Sequence, residues 1–170
     1  MATQRRRSLK KLLAEHVDAP YDPERREFIE DVADALYDRG DHFARWPQSV
    51  RFFYACYDIN YQVGNGGWAQ AAYNVPELIP VAKQAFEHFG RTKAAALCQR
   101  AIEMLPAELA EHLAKGLTGG ESLQDVFDHF DDSGMASLDE DLPEEFWADD
   151  KLQELVEQNR KDFESVHGIK

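Results

Sequence analysis

The sequence predicts an all-α protein: a single compact domain of about seven to nine helices. Three observations predict it. Apolar residues recur at helical spacing through most of the 170 residues, residues typical of helix starts and ends separate the periodic segments, and no repeat or long linker interrupts them. An apolar content of 44% and an aromatic content of 11% are those of a globular protein. We therefore predict one domain over residues 1–170.

The first two helices are predicted from their apolar stripes and their boundary residues. Residues 1–20 form a basic amino-terminal helix whose inward side carries Leu9, Leu12, Leu13 and Val17. Asp22-Pro23-Glu24 then supplies an N-cap, a proline at the first helical position and an acid, so a second helix begins there and ends near Gly40. Its buried stripe comprises Phe28, Ile29, Val32, Ala33, Leu36 and Tyr37.

The remaining helices follow in the same way. A helix that begins near Pro47 is apolar nearly all round, which is typical of a central, buried helix. Gly90 and Thr92 supply a stop and a new N-cap between the next two helices. A shorter helix carries Leu109, Leu113 and Leu117 and ends at Gly119-Gly120. The last helix runs from about Lys151, with an apolar side formed by Leu152, Leu155, Val156, Phe163 and Val166.

Residues 52–73 allow a second interpretation. Aromatic residues flank Asn65-Gly66-Gly67, and local propensity alone would permit a β-hairpin with a primed turn. Because an isolated hairpin is poorly stable and every neighbouring segment is helical, a helix–turn–helix is favoured. A side chain at Gly66 or Gly67 would clash if the turn needs positive φ, so valine at either position is expected to cost about 1–2 kcal/mol of stability.

The main indication of function is an acidic segment over residues 121–150. It contains twelve carboxylates and no lysine or arginine, in a chain with a formal net charge of −13. Apolar residues run through the segment and predict that it is held on a core rather than disordered: Leu123, Val126, Phe127, Phe130, Leu138, Leu142, Phe146 and Trp147. Its acids are Glu121, Asp125, Asp128, Asp131, Asp132, Asp139, Glu140, Asp141, Glu144, Glu145, Asp149 and Asp150.

Part of this segment predicts a row of charges. At about 100° per residue, Glu121, Asp125, Asp128 and Asp132 fall within a helical stripe roughly 60° wide, opposite an apolar face. Their spacing along the helix axis is about 4–6 Å, somewhat wider than the 3.4 Å between phosphates of one DNA strand. The acids of residues 139–150 would form a second row beside it. The simpler alternative is a solvated surface with no specific partner.

The sequence predicts no catalytic, metal or cofactor site. Asp131, Ser133, Gly134 and Glu140 fit part of an EF-hand loop, but the first ligand would be His129, which cannot act as the carboxylate ligand needed there. The six histidines are scattered, and no zinc-protease motif, phosphate loop or nucleophile elbow is present. We therefore predict that the protein is not an enzyme and binds neither metal nor cofactor.

Composition also bears on location and on other partners. Cys56 and Cys98 lack metal or redox spacing and are predicted to be buried thiols in a reducing compartment, which favours a cytoplasmic protein. No apolar run approaches the roughly 18 residues of a membrane span, and no secretory signal is visible. The strongly anionic chain would repel phosphate, so nucleic acid is not an expected direct partner, and no membrane association is predicted.

One segment resembles a known signature. Residues 65–74 are similar to the N-G-G-aromatic-x-Q-x-x-Tyr-Asn motif of the DNA-mimic protein family, through Asn65, Gly66, Gly67, Trp68, Gln70, Tyr73 and Asn74. The resemblance extends over roughly residues 45–165, including residues 53–63 and 127–132. This chain departs from the family pattern at four positions. It has Gln62 where the family usually has glutamate, Gly64 where asparagine is usual, and Ala71 and Ala72 where aromatic residues are usual. The resemblance implies an all-α fold whose acidic surface imitates duplex DNA and binds the DNA-binding surface of a transcription factor.

We predict from these observations a non-enzymatic acidic binding protein that imitates DNA and binds a basic DNA-binding protein such as a transcription regulator. An immunity-type inhibitor of a basic toxin is one alternative. A small enzyme that uses residues 68–74 is another, and would require polar groups converging in a cleft. The signature itself is predicted to be structural: a tight glycine turn, Trp68 in the core, and Gln70 and Asn74 hydrogen-bonded to loop backbone. No oligomeric state is predicted.

Overall fold

A computed structural model describes residues 9–15, 26–37, 40–107, 109 and 133–166. Within these ranges the chain has eight α-helices and three short 3-10 helices and contains no strand, which confirms the predicted fold class and helix number. The α-helices are α1 (Leu9–Glu15), α2 (Arg26–Tyr37), α3 (Gln48–Asn74), α4 (Ile79–His88), α5 (Thr92–Met104), α6 (Ser133–Asp139), α7 (Asp149–Gln158) and α8 (Arg160–Ser165). The 3-10 helices are Gly40–Arg45, Pro76–Leu78 and Glu144–Phe146.

The described residues divide into two compact units. Unit 1 comprises the described parts of Met1–Tyr54 and Ala148–Lys170, and unit 2 comprises those of Ala55–Trp147. Helix α3 supplies residues to both. The single domain predicted over residues 1–170 stays a prediction.

Unit 1 is a set of amphipathic helices around an apolar core. Helix α1 contacts α2 and α8, and α2 contacts α7. The rings of Phe53 and Phe163 pack edge to face, with their centroids 5.5 Å apart. The predicted stripes are confirmed, because the following side chains are all buried: Leu9, Leu12, Leu13, Phe28, Ile29, Val32, Ala33 and Leu36. Tyr37 was wrongly assigned to the stripe, since it is 68% exposed.

The predicted last helix is two helices. Asn159 leaves helical geometry at φ −118° and ψ 30°, and its side-chain amide donates to the carbonyl of Leu155 at 2.9 Å. Such a local side-chain bond competes with the helical ladder and separates α7 from α8. The predicted apolar side survives the interruption, because Leu152, Leu155, Val156, Phe163 and Val166 are all buried.

Unit 2 contains the pair α4 and α5, joined by a tight turn. Gly90 has φ +73°, its N–H donates to the carbonyl of Glu87, and the N–H of Arg91 donates to the carbonyl of Phe86 at 2.8 Å. This is the Schellman pattern of a glycine-terminated helix, and it confirms Gly90 as the stop. Thr92 as the N-cap is wrong: it is the first residue of α5, and the preceding Arg91 makes no side-chain cap.

Several predicted boundaries lie outside the described residues. These include Val17, the start motif Asp22-Pro23-Glu24, and the helix residues Leu113 and Leu117 with Gly119-Gly120. Leu109 is described and is fully buried.

Candidate functional site

The predicted partner-binding acids are only partly covered by the structure. Outside the described residues lie Glu121, Asp125, Asp128, Asp131 and Asp132, together with the predicted anchors Leu123, Val126, Phe127 and Phe130. Seven acids are described: Asp139, Glu140, Asp141, Glu144 and Glu145 in unit 2, and Asp149 and Asp150 in unit 1. The environment of each shows whether its charge is used within the protein.

Asp139 holds the glycine break of the signature. It is the last residue of α6, and its Oδ1 accepts the backbone N–H of Trp68 at 2.9 Å. A Cβ built on Gly67 would lie 2.9 Å from Cγ of Asp139, so the carboxylate sits directly against the bare glycine backbone. The carboxylate thus caps the part of α3 that restarts after the break, as an N-cap side chain would.

Glu145 caps a second helix from a distance. Its Oε1 accepts the backbone N–H of Lys93 at 2.7 Å and that of Ala94 at 3.2 Å, both in the first turn of α5. These N–H groups have no partner within the helix, and a negative charge beside them also interacts favourably with the helix dipole. Glu145 therefore supplies the cap that Thr92 was predicted to supply.

Three further acids have evident intramolecular roles. Asp141 forms an ion pair with Arg100, with 2.7 Å between its Oδ2 and Nη1, and both side chains are largely exposed. Asp149 and Asp150 stand in the first turn of α7, where carboxylates stabilise the positive end of the helix dipole. In the described part of the segment, Glu140 and Glu144 are the exposed acids whose carboxylates make no hydrogen bond or ion pair, although Glu144 stands in the first turn of a short 3-10 helix.

The cap role of Glu145 gives a testable contrast with its neighbour. We expect Glu145→Ala to lower the free energy of unfolding by about 1 kcal/mol, because two N–H groups of α5 lose their acceptor. Glu144→Ala should change it by less than about 0.5 kcal/mol, as is usual for an exposed residue. Urea denaturation followed by circular dichroism measures both. Equal effects of the two substitutions would contradict the cap.

The glycine pair of the signature breaks helix α3. The backbone leaves helical geometry at Gly66 (φ −157°, ψ 21°) and at Gly67 (φ 75°, ψ −175°). The helix–turn–helix interpretation is thus confirmed, and the β-hairpin is excluded for these described residues. Positive φ occurs at Gly67 and not at Gly66. The expectation that a side chain would strain the backbone therefore holds at Gly67 and is wrong at Gly66.

Two polar residues of the signature, Gln70 and Asn74, bind the side chain of Gln62. Oε1 of Gln62 accepts the side-chain amide of Gln70 at 2.9 Å and that of Asn74 at 2.8 Å, while its own Nε2 donates to Asp58 at 3.3 Å. The prediction that Gln70 and Asn74 bind loop backbone is therefore wrong. A glutamate at position 62 could accept the same two amides but would repel Asp58. The network joins the two parts of α3 across the break.

Two carboxyl groups adjoin this network. Burial raises the pKa of Asp58, and the hydrogen bond from Gln62 opposes that shift. Burial likewise raises the pKa of Glu77, to which the charge of Asp58 adds. No group of three or more histidine, cysteine, aspartate or glutamate side chains with the arrangement of a metal site occurs among the residues that the structure describes.

The aromatic residues of the signature and of the acidic segment meet in unit 2. Trp68 is fully buried as predicted, and its ring centroid lies 5.6 Å from that of Phe146. Phe146 is also fully buried and has its centroid 5.5 Å from that of Phe86. The predicted anchoring of the acidic segment is confirmed at Leu138 and Phe146, both fully buried, whereas Trp147 is 44% exposed.

A cleft of about 380 Å³ opens beside Trp147. It is lined by Arg91, Lys93, Pro143, Glu144, Glu145 and Trp147. None of residues 68–74, which the enzyme alternative would use, contributes to its lining. The sequence patterns missed this cleft, because its walls come from the start of α5 and from residues 143–147.

The two cysteines offer no reactive thiol. Both are buried and free, as predicted, and Sγ of Cys56 lies 3.9 Å from the carbonyl oxygen of Ala82. Burial raises the pKa of Cys56 well above its ordinary value and raises the pKa of Cys98 to about 12. Since the thiolate is the nucleophile, neither group is suited to attack a substrate at neutral pH.

Comparisons with known proteins complete the description of the chain. Residues 44–161 match one family model, described as DMP19-like protein. Searches of curated proteins and of solved structures gave no match to this chain. Within the described residues, no helix has both the length and the apolar character that a membrane crossing requires.

Proposed function

Because the chain belongs to the DMP19-like family of DNA-mimic proteins, we propose that it imitates duplex DNA and occupies the DNA-binding surface of a basic regulatory protein. The observation that carries the proposal is the acidic segment: twelve carboxylates without a lysine or arginine between residues 121 and 150. The DNA-mimic family is in general non-enzymatic. A binding role without catalysis agrees with that.

The mechanism is electrostatic. Carboxylates that take the place of phosphates attract the lysine and arginine side chains of the partner, and their combined field accelerates association. Salt screens the attraction between the exposed charges of the two proteins, so the binding weakens as ionic strength rises. The segment has no lysine or arginine of its own, so its exposed acids repel one another in the folded protein, which is a reason for those acids to serve binding rather than stability.

The intramolecular roles of the described acids guide our choice of proposed contact residues. Asp139 and Glu145 are committed to backbone N–H groups, and Asp149 and Asp150 to the start of α7. Glu140 and Glu144 are exposed, and we assign the contact role in unit 2 to them, with Asp141 available once its ion pair with Arg100 exchanges. The predicted row of Glu121, Asp125, Asp128 and Asp132, together with Asp131, completes the proposed contact set.

Charge reversal tests the proposal. The partner is first captured from source lysate on the immobilised protein and checked for duplex binding. The protein should then displace a labelled duplex from it at about 50 mM salt and lose that ability towards about 200 mM. We expect the double variant Glu140→Lys with Glu144→Lys to compete at least about tenfold less well. The triple variant Glu121→Lys, Asp125→Lys and Asp128→Lys should lose competition altogether.

A matched control changes the net charge by the same amount as the double variant but outside the acidic segment. Asp34 and Glu103 are exposed acids outside the segment, and Asp34→Lys with Glu103→Lys adds as much positive charge as the Glu140 and Glu144 pair. This control should compete like the wild type, and thermal melts should show all variants folded. Competition that is indifferent to salt, or equal losses in the control, would show that DNA imitation by this segment is the wrong account.

A further inference from the structure

Trp147 is an exposed indole that the protein holds in place. It is 44% exposed, whereas Trp46 and Trp68 are 3% and 0% exposed. Its ring centroid lies 5.3 Å from that of Phe146 at an interplanar angle of 87°, and Phe146 is itself fully buried. A tryptophan fixed by a buried neighbour loses little further freedom on binding, which is a property of the residues that dominate protein interfaces.

The exposure of the indole depends on a glycine. A Cβ built on Gly64 would lie 3.6 Å from Cη2 and 3.7 Å from Cζ3 of Trp147, which is ordinary van der Waals contact. Any side chain longer than a methyl at this position could extend over the ring. Gly64 is exposed and lies within helix α3, where glycine is unfavourable by about 1 kcal/mol relative to alanine. The bare position leaves the ring uncovered.

The charges around the ring select its ligand. Glu144 lines the same cleft as Trp147, and Glu140 and Asp141 lie in the connection that precedes it. A cation is attracted both by the face of an indole and by neighbouring carboxylates. Arg91 and Lys93 also line the cleft, and the carboxylate of Glu145 is held by the N–H groups of Lys93 and Ala94, so Glu144 is the lining acid that we assign to an incoming cation. A planar guanidinium fits better than an ammonium, because it stacks on the ring while it donates to a carboxylate.

We infer that Trp147 and Glu144 form an arginine-binding anchor within the acidic surface, which rests on the proposed function and names the side chain that the surface selects. An arginine of the basic partner stacks its guanidinium on the indole and donates to the carboxylate of Glu144. The surrounding carboxylates attract any cation, whereas the anchor distinguishes arginine from lysine at equal charge.

Two labelled peptides of equal charge test the anchor: tetra-arginine and tetra-lysine, both acetylated and amidated, with fluorescence anisotropy as the measurement. We expect tetra-arginine to bind the wild type about two- to fivefold more tightly than tetra-lysine, the size of an exposed cation–π contact. Because Trp46 and Trp68 are buried, acrylamide quenching reports mainly on Trp147, and tetra-arginine should protect it more than tetra-lysine does.

Variants separate the anchor from general electrostatics. Trp147→Ala should reduce the preference for arginine to about one, and Gly64→Gln should do the same with the indole still present, because the new side chain covers it. Gly134→Gln is the matched control: Gly134 lies in α6 with open space where a Cβ would be, and the preference should persist.

The outcomes distinguish this inference from the proposed function. If both peptides bind the wild type equally and release with salt, the anchor is wrong and the anionic surface stands. If Gly64→Gln keeps the full preference for arginine, the anchor is also wrong. If neither peptide binds at low salt, both the anchor and the proposed function fail.

Discussion

Replacement of Phe146 by alanine should lower the free energy of unfolding by about 3–5 kcal/mol, the usual cost of truncating a buried phenylalanine. Phe146 is fully buried, and its ring contacts those of Trp68, Phe86 and Trp147. Its loss removes apolar burial and leaves a cavity that these large rings can fill only partly. The effect is large because one side chain joins the acidic segment to the core of unit 2.

Denaturant unfolding and thermal melts measure this effect. In a chain of this size, about 1 kcal/mol corresponds to a shift of roughly 2–4 °C in melting temperature. Phe146→Leu should cost less than about 1.5 kcal/mol, because it conserves most of the volume. Phe89→Ala is the control, since Phe89 is only half-buried and should cost clearly less. A small loss for Phe146→Ala, equal to that for Phe89→Ala, would contradict the packing role.

Replacement of Gly67 by alanine should lower the free energy of unfolding by about 2–4 kcal/mol, and valine should cost at least as much. About 1–3 kcal/mol is backbone strain, because φ 75° with ψ −175° is a conformation that essentially only glycine adopts. The remainder, about 1 kcal/mol, follows because the new Cβ collides with the carboxylate of Asp139 and weakens its hydrogen bond from Trp68. Urea denaturation of the variant measures the loss.

Two other glycines separate these causes. Gly90 also has positive φ but has open space where a Cβ would be, so Gly90→Ala should show strain alone. Gly66 has negative φ, and its Cβ would meet the end of the flexible Gln70 side chain, so Gly66→Ala should cost the least. The double variant Gly67→Ala with Asp139→Ala should lose less free energy of unfolding than the sum of the losses in the two single variants. Full additivity would show that Asp139 and Gly67 do not act together.

The acidic segment shows how far local patterns extend. The sequence predicted its apolar anchors, and Leu138 and Phe146 are indeed fully buried. It also showed no cation within the segment. It did not show which distant residues the acids bind. Asp139 binds Trp68, 71 residues away, Glu145 binds Lys93, 52 residues away, and Asp141 binds Arg100, 41 residues away. A carboxylate that will cap a distant helix has the same local sequence pattern as one that will face solvent.

The sequence by itself determined the fold class, the buried faces of the helices and the glycine break in α3. These depend on helical periodicity and on the backbone freedom of glycine, which are properties of residues a few positions apart. Tertiary structure alone decided where α5 is capped, why Gly67 must lack a side chain and why the ring of Trp147 is uncovered. Each of these depends on a group distant in sequence: Glu145 for α5, Asp139 for Gly67 and Gly64 for Trp147. Chain folding brings these groups together, so no pattern within one helix could predict them.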